Sequence, residues 1–372
     1  MMYAEAVLAK RPFVSSDSSL VVEDITKSAS QLRGFDDHER IILGRDDERG
    51  LTAIIAIHNT TLGRALGGTR IWMHDNFDSA VTDALRLSRG MTFKAAIAGL
   101  PLGGGKAVIR ANPKSDKTPQ LLDAYAEMLA HVQDTYITAE DVGMTLADAD
   151  YLRERTANVA GTTIGGSGNP SSFTAEGVFL GVKAALKHKT GSDDLTGRRI
   201  AIQGLGSVGW SLAEKLSKAG AKLVVADINE ARCVEAKEAF GAEIVSTDTI
   251  LFTEVDVLAP CALGGVLSHK TIPDLKAGIV AGSANNQLLR HEDAAALKER
   301  GILYAPDYVI NAGGLMNVAA EVEPDGYDKA KVIAKIAQIP TTLGSIFQQA
   351  ETDNQPTNEI ALAMAKARIE KG

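Results

Sequence analysis

Residues 199–227 read RIAIQGLGSVGWSLAEKLSKAGAKLVVAD. A short apolar run, Arg199–Gln203, leads into Gly204-Leu205-Gly206-Ser207-Val208-Gly209. A helical pattern from Val208 to Ala219 follows and stops at Gly220, and a second β run, Lys222 to Asp227, closes the unit. The spacing G-x-G-x-x-G is weak evidence alone, but here it leaves a strand, opens a helix and precedes a strand ending in a carboxylate. In that setting Gly204 makes the tight turn, Gly206 admits a pyrophosphate and Gly209 lets helix and strand pack. Phosphates rest against the free N–H groups of the helix start. Asp227 is expected to accept hydrogen bonds from ribose hydroxyls and to repel a 2′-phosphate. Ile228 and Asn229 come next with no arginine to offset that repulsion, so NAD is expected over NADP.

Outward from this unit, the alternation continues. Val255 to Pro260 and Gly278 to Ala281 read as buried strands, which predicts a parallel sheet wrapped by helices beginning near Thr174. The earlier half is a mixture. Ser19–Asp24, Arg40–Gly44 and Thr52–His58 are β-like, and residues 79–94 form a helix with Ala80, Ala84, Leu87 and Met91 on one face. A second helix is expected over Thr118–Val132, with Thr118 as cap and Pro119 in the first turn. The fold class is therefore α/β in two domains: an N-terminal mixed-sheet domain over 1–170 and a Rossmann-type dinucleotide-binding domain over 171–354, with a cleft between them. A terminal helix within 355–372 is expected to return to the first domain.

Bulk properties exclude several functions. The chain has 372 residues, 45% hydrophobic and 23% charged, with a formal net charge of -8 and no basic stripe, which argues against nucleic acid. Charges interrupt every apolar stretch short of a membrane span, and Met1–Phe13 has no secretory pattern. Two cysteines, Cys233 and Cys261, have neither pair nor metal-ligand spacing, so no metal is expected and a cytoplasmic location fits. The 35 glycines cluster around Gly103 and Gly165, where backbone is expected to approach a ligand or other backbone.

The most unusual segment is Met91–Arg110, MTFKAAIAGLPLGGGKAVIR, which carries Lys94 and Lys106 in apolar, glycine-rich surroundings. Lys94 is expected on the buried stripe of its helix. Desolvation lowers a lysine pKa and yields a neutral amine for base chemistry. Walker-type phosphate binding is excluded by Leu100 and Ala107 at positions that motif reserves for Gly and Ser or Thr. The glycines are expected to let a substrate approach the backbone beside Lys106. A snorkelling surface lysine is the competing reading of Lys106. Asp141, after the β-like run Tyr136–Thr138, reads equally as a helix cap or as a catalytic carboxylate.

The runs Gly67–Trp72 (GGTRIW), Met91–Ile109, Thr138–Gly143 (TAEDVG), Gly168–Pro170 (GNP), Cys261–Gly264 (CALG), Ser283–Leu288 (SANNQL) and Tyr304–Gly314 (YAPDYVINAGG) together resemble the Glu/Leu/Phe/Val dehydrogenase family, closest to its leucine and phenylalanine branch. The resemblance covers about residues 35–330. It implies NAD-dependent oxidative deamination of an amino acid by a homo-oligomer, dimer or octamer. It assigns Lys94 to the substrate carboxylate, Lys106 to catalysis with Asp141 as proton shuttle, and Gly67 and Gly68 to the substrate site. Asn286 would orient substrate and nicotinamide, Thr174 would lie near the carboxamide, and Cys261 and Ala262 would border the cofactor. Glutamate enzymes of the family carry a lysine where Leu66 stands and a serine where Val318 stands. A pocket of Leu66, Ala139, Leu315 and Val318 offers no counter-charge, so acidic substrates are disfavoured. Leucine, valine or isoleucine are expected first, phenylalanine or tryptophan second. A non-catalytic NAD-binding paralogue would have lost Lys106 or Asp141, and both are present. A 2-hydroxy-acid dehydrogenase would need a histidine base, and none of the seven histidines sits in a fitting motif.

Overall fold

The computed structural model describes residues 18–163 and 166–372; the readings made for Met1–Phe13 and Gly165 lie outside them. The chain divides into two compact units. One runs through Asn169 and takes in Val318–Tyr327 and Arg368–Gly372; the other comprises Pro170–Asn317 and Asp328–Ala367.

In the first unit, β1 (Val21–Asp24), β2 (Arg40–Asp46), β3 (Leu51–Asn59), β4 (Ala65–Leu66), β5 (Thr69–Ile71), β6 (Gly103–Ile109) and β7 (Tyr136–Ile137) form a mixed sheet. Its order is β1-β2-β3-β6-β4-β7, with β5 also on β6. Besides the one-turn α1 (Thr26–Ala29), the helices are α2 (Phe77–Ile97), α3 (Pro119–Ala130) and α4 (Leu146–Arg153). Thr118 caps α3 through its side chain, as its sequence predicts. Alternation along β3 and β6 divides the core. Ile55, Ile57, Ala107 and Ile109 face the α3 side, while Ile54, Ala56 and Val108 face α2.

Two expectations need correction. Gly103–Lys106 is the start of a central strand, β6, buried throughout. The space left by Gly104 is filled by protein: a Cβ there would lie 2.1 Å from the Thr92 backbone nitrogen on α2. Gly104 thus draws α2 onto the strand, while Gly103 and Gly105 close on Asn59 O and the Tyr136 ring, so the expected opening beside Lys106 is taken up by protein. The buried face of α2 is also rotated from the expected one. It runs through Ala80, Val81, Ala84, Leu85, Ser88 and Thr92, with Leu87, Met91 and Lys94 half-buried.

Ser88 and Thr92 are buried because two histidines use them. His38 Nε2 lies 2.9 Å from Leu85 O and 3.1 Å from Ser88 Oγ, and His58 Nδ1 lies 2.8 Å from Thr92 Oγ1. The rings are 4.7 Å apart. Burial, then repulsion by His38, pushes the His58 pKa down to about 4. Burial lowers His38 as well. A folded-state pKa below the unfolded one means that the unfolded chain binds protons first as pH falls. Stability is therefore complete above about pH 6.5 and declines towards pH 4, by about 1.4 kcal/mol per pH unit for the His58 imidazole, with His38 acting in the same direction. Thermal melts between pH 6.5 and 5 should show this slope, and His58→Gln should reduce it; an unchanged slope would contradict the assignment.

In the second unit, β8 (Arg199–Gln203), β9 (Lys222–Ala226), β10 (Glu243–Ile244), β11 (Val257–Pro260), β12 (Ile279–Val280) and β13 (Leu303–Tyr304) pair in parallel throughout. The order is β10-β9-β8-β11-β12-β13, which is 3-2-1-4-5-6 within the sheet, the doubly wound dinucleotide-binding order. Its topological switch point lies between β8 and β11, at the carboxyl end of β8. Helices α5 (Ser171–Thr190), α6 (Ser207–Lys218), α7 (Glu230–Phe240), α8 (Asp293–Glu299), α9 (Asp307–Ile310), α10 (Gly313–Ala319), α11 (Lys329–Ile336) and α12 (Ile339–Thr352) follow; α10 ends in the first unit. In the last helix, α13 (Thr357–Glu370), Thr357 Oγ1 donates to Tyr304 O, and residues 368–372 belong to the first unit. Among the described residues no helix is long and apolar enough to cross a membrane.

Candidate active site

In the first unit the site begins with a main-chain zipper. Gly67 N donates to Ile137 O, Thr69 N to Ala139 O and Ile71 N to Val142 O, so residues 137–142 run beside residues 67–71. Gly68 makes this approach possible: a Cβ there would lie 2.2 Å from Glu140 O. On one face of β5, Thr69 shares hydrogen bonds with Tyr125 and Thr138. On the other face Arg70 meets Asp141.

Lys106 shares the α2 face of β6 with Gly104 and Val108, since alternate residues of a strand point the same way. It is 5% exposed, which removes the snorkelling reading. Its Nζ lies 3.1 Å from Asp141 Oδ1, while Arg70 Nε lies 3.1 Å from Asp141 Oδ2. Asp141 caps no helix; Thr145 caps α4. Arg70 Nη1 also reaches Asp83 Oδ2 at 2.9 Å, and His74 Nε2 meets the same oxygen at 3.2 Å. Burial pushes the Lys106 amine below the usual lysine range, opposed by Asp141 and assisted by Arg70. Asp141 is held below the usual carboxylate range: burial raises it, but Lys106 and Arg70 outweigh burial. A buried amine displaced towards neutrality beside an ionised carboxylate is an acid–base couple.

Lys94 lies half-buried in the last turn of α2, the helix packed on β6. Leu66 is buried in β4, paired with Gly104 and Ile137. The side chains of Ala139 and Val318 converge on Gly161, within 3.7–4.0 Å of where its Cβ would be. Glu321 accepts from Gly161 N at 2.9 Å and from Ser167 N at 2.6 Å, tying that loop to the segment carrying Val318. Leu315 is half-buried on α10.

In the second unit the glycine motif has the geometry its spacing requires. Gly204 has φ +98° and would press a Cβ against Ala262, and Gly209 packs on Gly204 O. Gly206 has open space around it. Helix α6, which starts at Ser207 and continues through Val208, has no side-chain cap, so its first N–H groups are available to an anion. Asp227 accepts from Leu205 N at 2.6 Å and Asn229 N at 2.8 Å. Ile228 is 93% exposed beside it, an apolar surface suited to an adenine. At the end of β8, Gln203 Oε1 is buried with no partner among the described residues. Cys261 N donates to Gln203 O, which seats Cys261 and Ala262 at the same strand end. Asn286 is exposed with φ 52°, and its carbonyl accepts from Gly265 N. Thr174, in the first turn of α5, abuts Gly314. These residues fit a dinucleotide.

Sequence reasoning missed three participants. Arg70 stood inside a quoted motif without a role, and its partner lies 71 positions on. Glu321 gave no local signal. Arg232, on α7, reaches back to the glycine turn: it donates to Leu205 O, stacks over Trp210 and pairs with Glu235.

Residues 38–158 match the model of the Glu/Leu/Phe/Val dehydrogenase dimerisation domain. Residues 165–230 and 225–371 match that of the glutamate/leucine/phenylalanine/valine dehydrogenases. Leucine dehydrogenase of Geobacillus stearothermophilus is 49% identical over 90% of this chain and 91% of its own. Phenylalanine dehydrogenase of Lysinibacillus sphaericus is 45% identical over 90% and 89%. The crystal structure of L-tryptophan dehydrogenase from Nostoc punctiforme superposes with a TM-score of 0.80 at 43% identity, covering 90% of this chain and 98% of that one. The chain belongs to the Glu/Leu/Phe/Val dehydrogenase family of NAD(P)-dependent enzymes and is an amino-acid dehydrogenase, an oxidoreductase acting on CH–NH2 donors.

Proposed function

We propose that the chain carries out reversible oxidative deamination of a nonpolar L-amino acid: amino acid, NAD⁺ and water give the 2-oxo acid, ammonium, NADH and a proton. The observation that carries this reading is the buried Lys106 amine 3.1 Å from Asp141. NAD, when bound, would supply the hydride acceptor for the substrate Cα. Gly204–Gly209 and the start of α6 would hold its pyrophosphate, Asp227 its ribose hydroxyls and Ile228 its adenine, with Thr174, Cys261, Ala262 and Asn286 bordering the nicotinamide half. Lys94 holds the substrate α-carboxylate. Neutral Lys106 takes a proton from the water that attacks the oxidised carbon, and Asp141 exchanges that proton onward.

Side-chain preference rests on charge and size. Ala139 and Val318 present methyl groups at Gly161, and the Glu321 carboxylate binds the N–H of the same glycine. An acidic side chain would meet apolar surface and a like charge. Identity to a leucine enzyme is 49% against 45% for a phenylalanine enzyme, which supports aliphatic substrates first. A methylene in such a pocket discriminates by only about 1–3 kcal/mol. NADH formation at alkaline pH across leucine, valine, phenylalanine, tryptophan and glutamate should rank leucine first and glutamate last. Phenylalanine or tryptophan ahead of leucine would assign the aromatic reading, and turnover of none would end the proposal. Assembly into a homo-oligomer is supported by the dimerisation-domain match over residues 38–158.

Preference for NAD over NADP rests on Asp227. Asp227→Ser should cost about 10- to 100-fold in kcat/KM with NAD, the scale of one lost charge-assisted hydrogen bond and its unpaired partner. It should raise activity with NADP relative to NAD, because the carboxylate that repels a 2′-phosphate is then gone. Steady-state kinetics with both cofactors checks this; an unchanged cofactor ratio would contradict it.

A further inference from the structure

We infer that Arg70 is a positioning residue for the Lys106–Asp141 couple, gripping one carboxylate oxygen of Asp141 while Lys106 takes the other. The inference rests on the proposed acid–base role of that couple.

Asp141 Oδ1 goes to Lys106 and Oδ2 to Arg70, each at 3.1 Å. The two cations therefore fix both the rotation and the position of the carboxylate. Arg70 is itself held by Asp83 of α2, so α2 and the segment after β7 clamp one guanidinium between two carboxylates. A planar fork can bridge two carboxylates in fixed directions, whereas an ammonium is a point charge on a flexible stem. The charged or titratable groups around Lys106 and Asp141 include Arg70 on β5, Asp83 on α2, Glu140 on the adjoining segment and Tyr136 on β7, with Lys94 on α2, the helix packed on β6. His74 approaches through Asp83. Arg70 is a nearby cation that opposes protonation of the Lys106 amine. It also divides the attraction of Asp141, which would otherwise serve Lys106 alone. Both effects favour the neutral amine.

Arg70, His74 and Asp83 also line an open cavity of about 660 Å³, beside the half-exposed indole of Trp72. Shortening Arg70 therefore enlarges an existing opening and leaves the packed core intact, so Arg70→Gln should fold.

The test measures Lys106 with and without turnover. In the absence of cofactor and substrate, acetic anhydride labels free amines, and peptide mass spectrometry reads the rate at Lys106 against pH. In Arg70→Gln the rise in labelling should move to higher pH by about one unit, the scale of one neighbouring charge. In kinetics kcat should fall about ten- to a hundredfold, while KM for the amino acid changes less than threefold. Arg70→Lys, which restores charge without the fork, should return the labelling profile towards wild type while leaving kcat low. Thermal melts confirm that each variant is folded. Labelling that rises at the wild-type pH in folded Arg70→Gln overturns the inference, as does kcat lost only in proportion to unfolded protein. A wild-type chain without activity on any amino acid would strike the proposed function instead, and the labelling arm keeps the two failures apart.

Discussion

Lys106→Ala should abolish deamination while the protein still binds NAD. Positioned acid–base groups contribute about 10²–10⁴-fold, so kcat should fall by that factor. Its methylene stem is buried and its amine meets Asp141. Truncation leaves the Asp141 carboxylate still paired with Arg70, so the variant avoids an orphaned buried charge and should fold. The residues expected to hold the dinucleotide, Gly204 to Asp227, belong to the other unit. Calorimetric titration with NAD should therefore give an affinity close to wild type. Retained turnover would overturn the role of Lys106; lost turnover together with lost NAD binding would point to general damage.

Gly104→Ala should be among the most damaging single methyl groups in the first unit. Its Cβ would lie 2.1 Å from the Thr92 nitrogen and 2.5 Å from its Cα, and this is helix backbone with no rotamer that could yield. Overpacking of this kind costs about 1–3 kcal/mol or more. The strain falls two residues from Lys106, on the same face of the same strand, and a displacement of about 1 Å costs on the order of 100-fold in rate. Thermal melts and kcat measured on the folded fraction should both fall. Gly90→Ala, on the exposed side of α2 with nothing within 4 Å, is the control. It should be neutral or stabilise by up to about 1 kcal/mol. Equal behaviour of the two variants would show that helix and strand are not in the close contact described.

What the sequence made legible was local. Gly204–Gly209, its helix and Asp227 form one contiguous βαβ unit, in which Asp227 serves Leu205 only 22 positions away. Thr118 and Pro119 marked a helix start for the same reason. Strand β6 was hidden because Gly103–Gly105 lacks strand propensity, and the approach of α2 decides its conformation. The buried face of α2 was misplaced because Ser88 and Thr92 are buried to serve His38 and His58, which a reading of apolar periodicity cannot anticipate. Lys106 and Asp141 could each be suspected from composition, but their pairing, and the place of Arg70 between Asp141 and Asp83, arise only when β5, β6 and the segment after β7 assemble. Glu321, reaching Gly161 from 160 positions away, is the same case.

The most direct measurement is an NMR titration of protein carrying ¹³Cε-labelled lysine, with the Lys106 resonance assigned by its absence from Lys106→Arg. The account predicts a midpoint below the ordinary lysine value of 10.5, moving further down when Asp141 is replaced by Asn. A midpoint at or above 10.5, or one indifferent to Asp141, would mean that the amine is an ordinary ammonium and would contradict the acid–base role at the centre of the account.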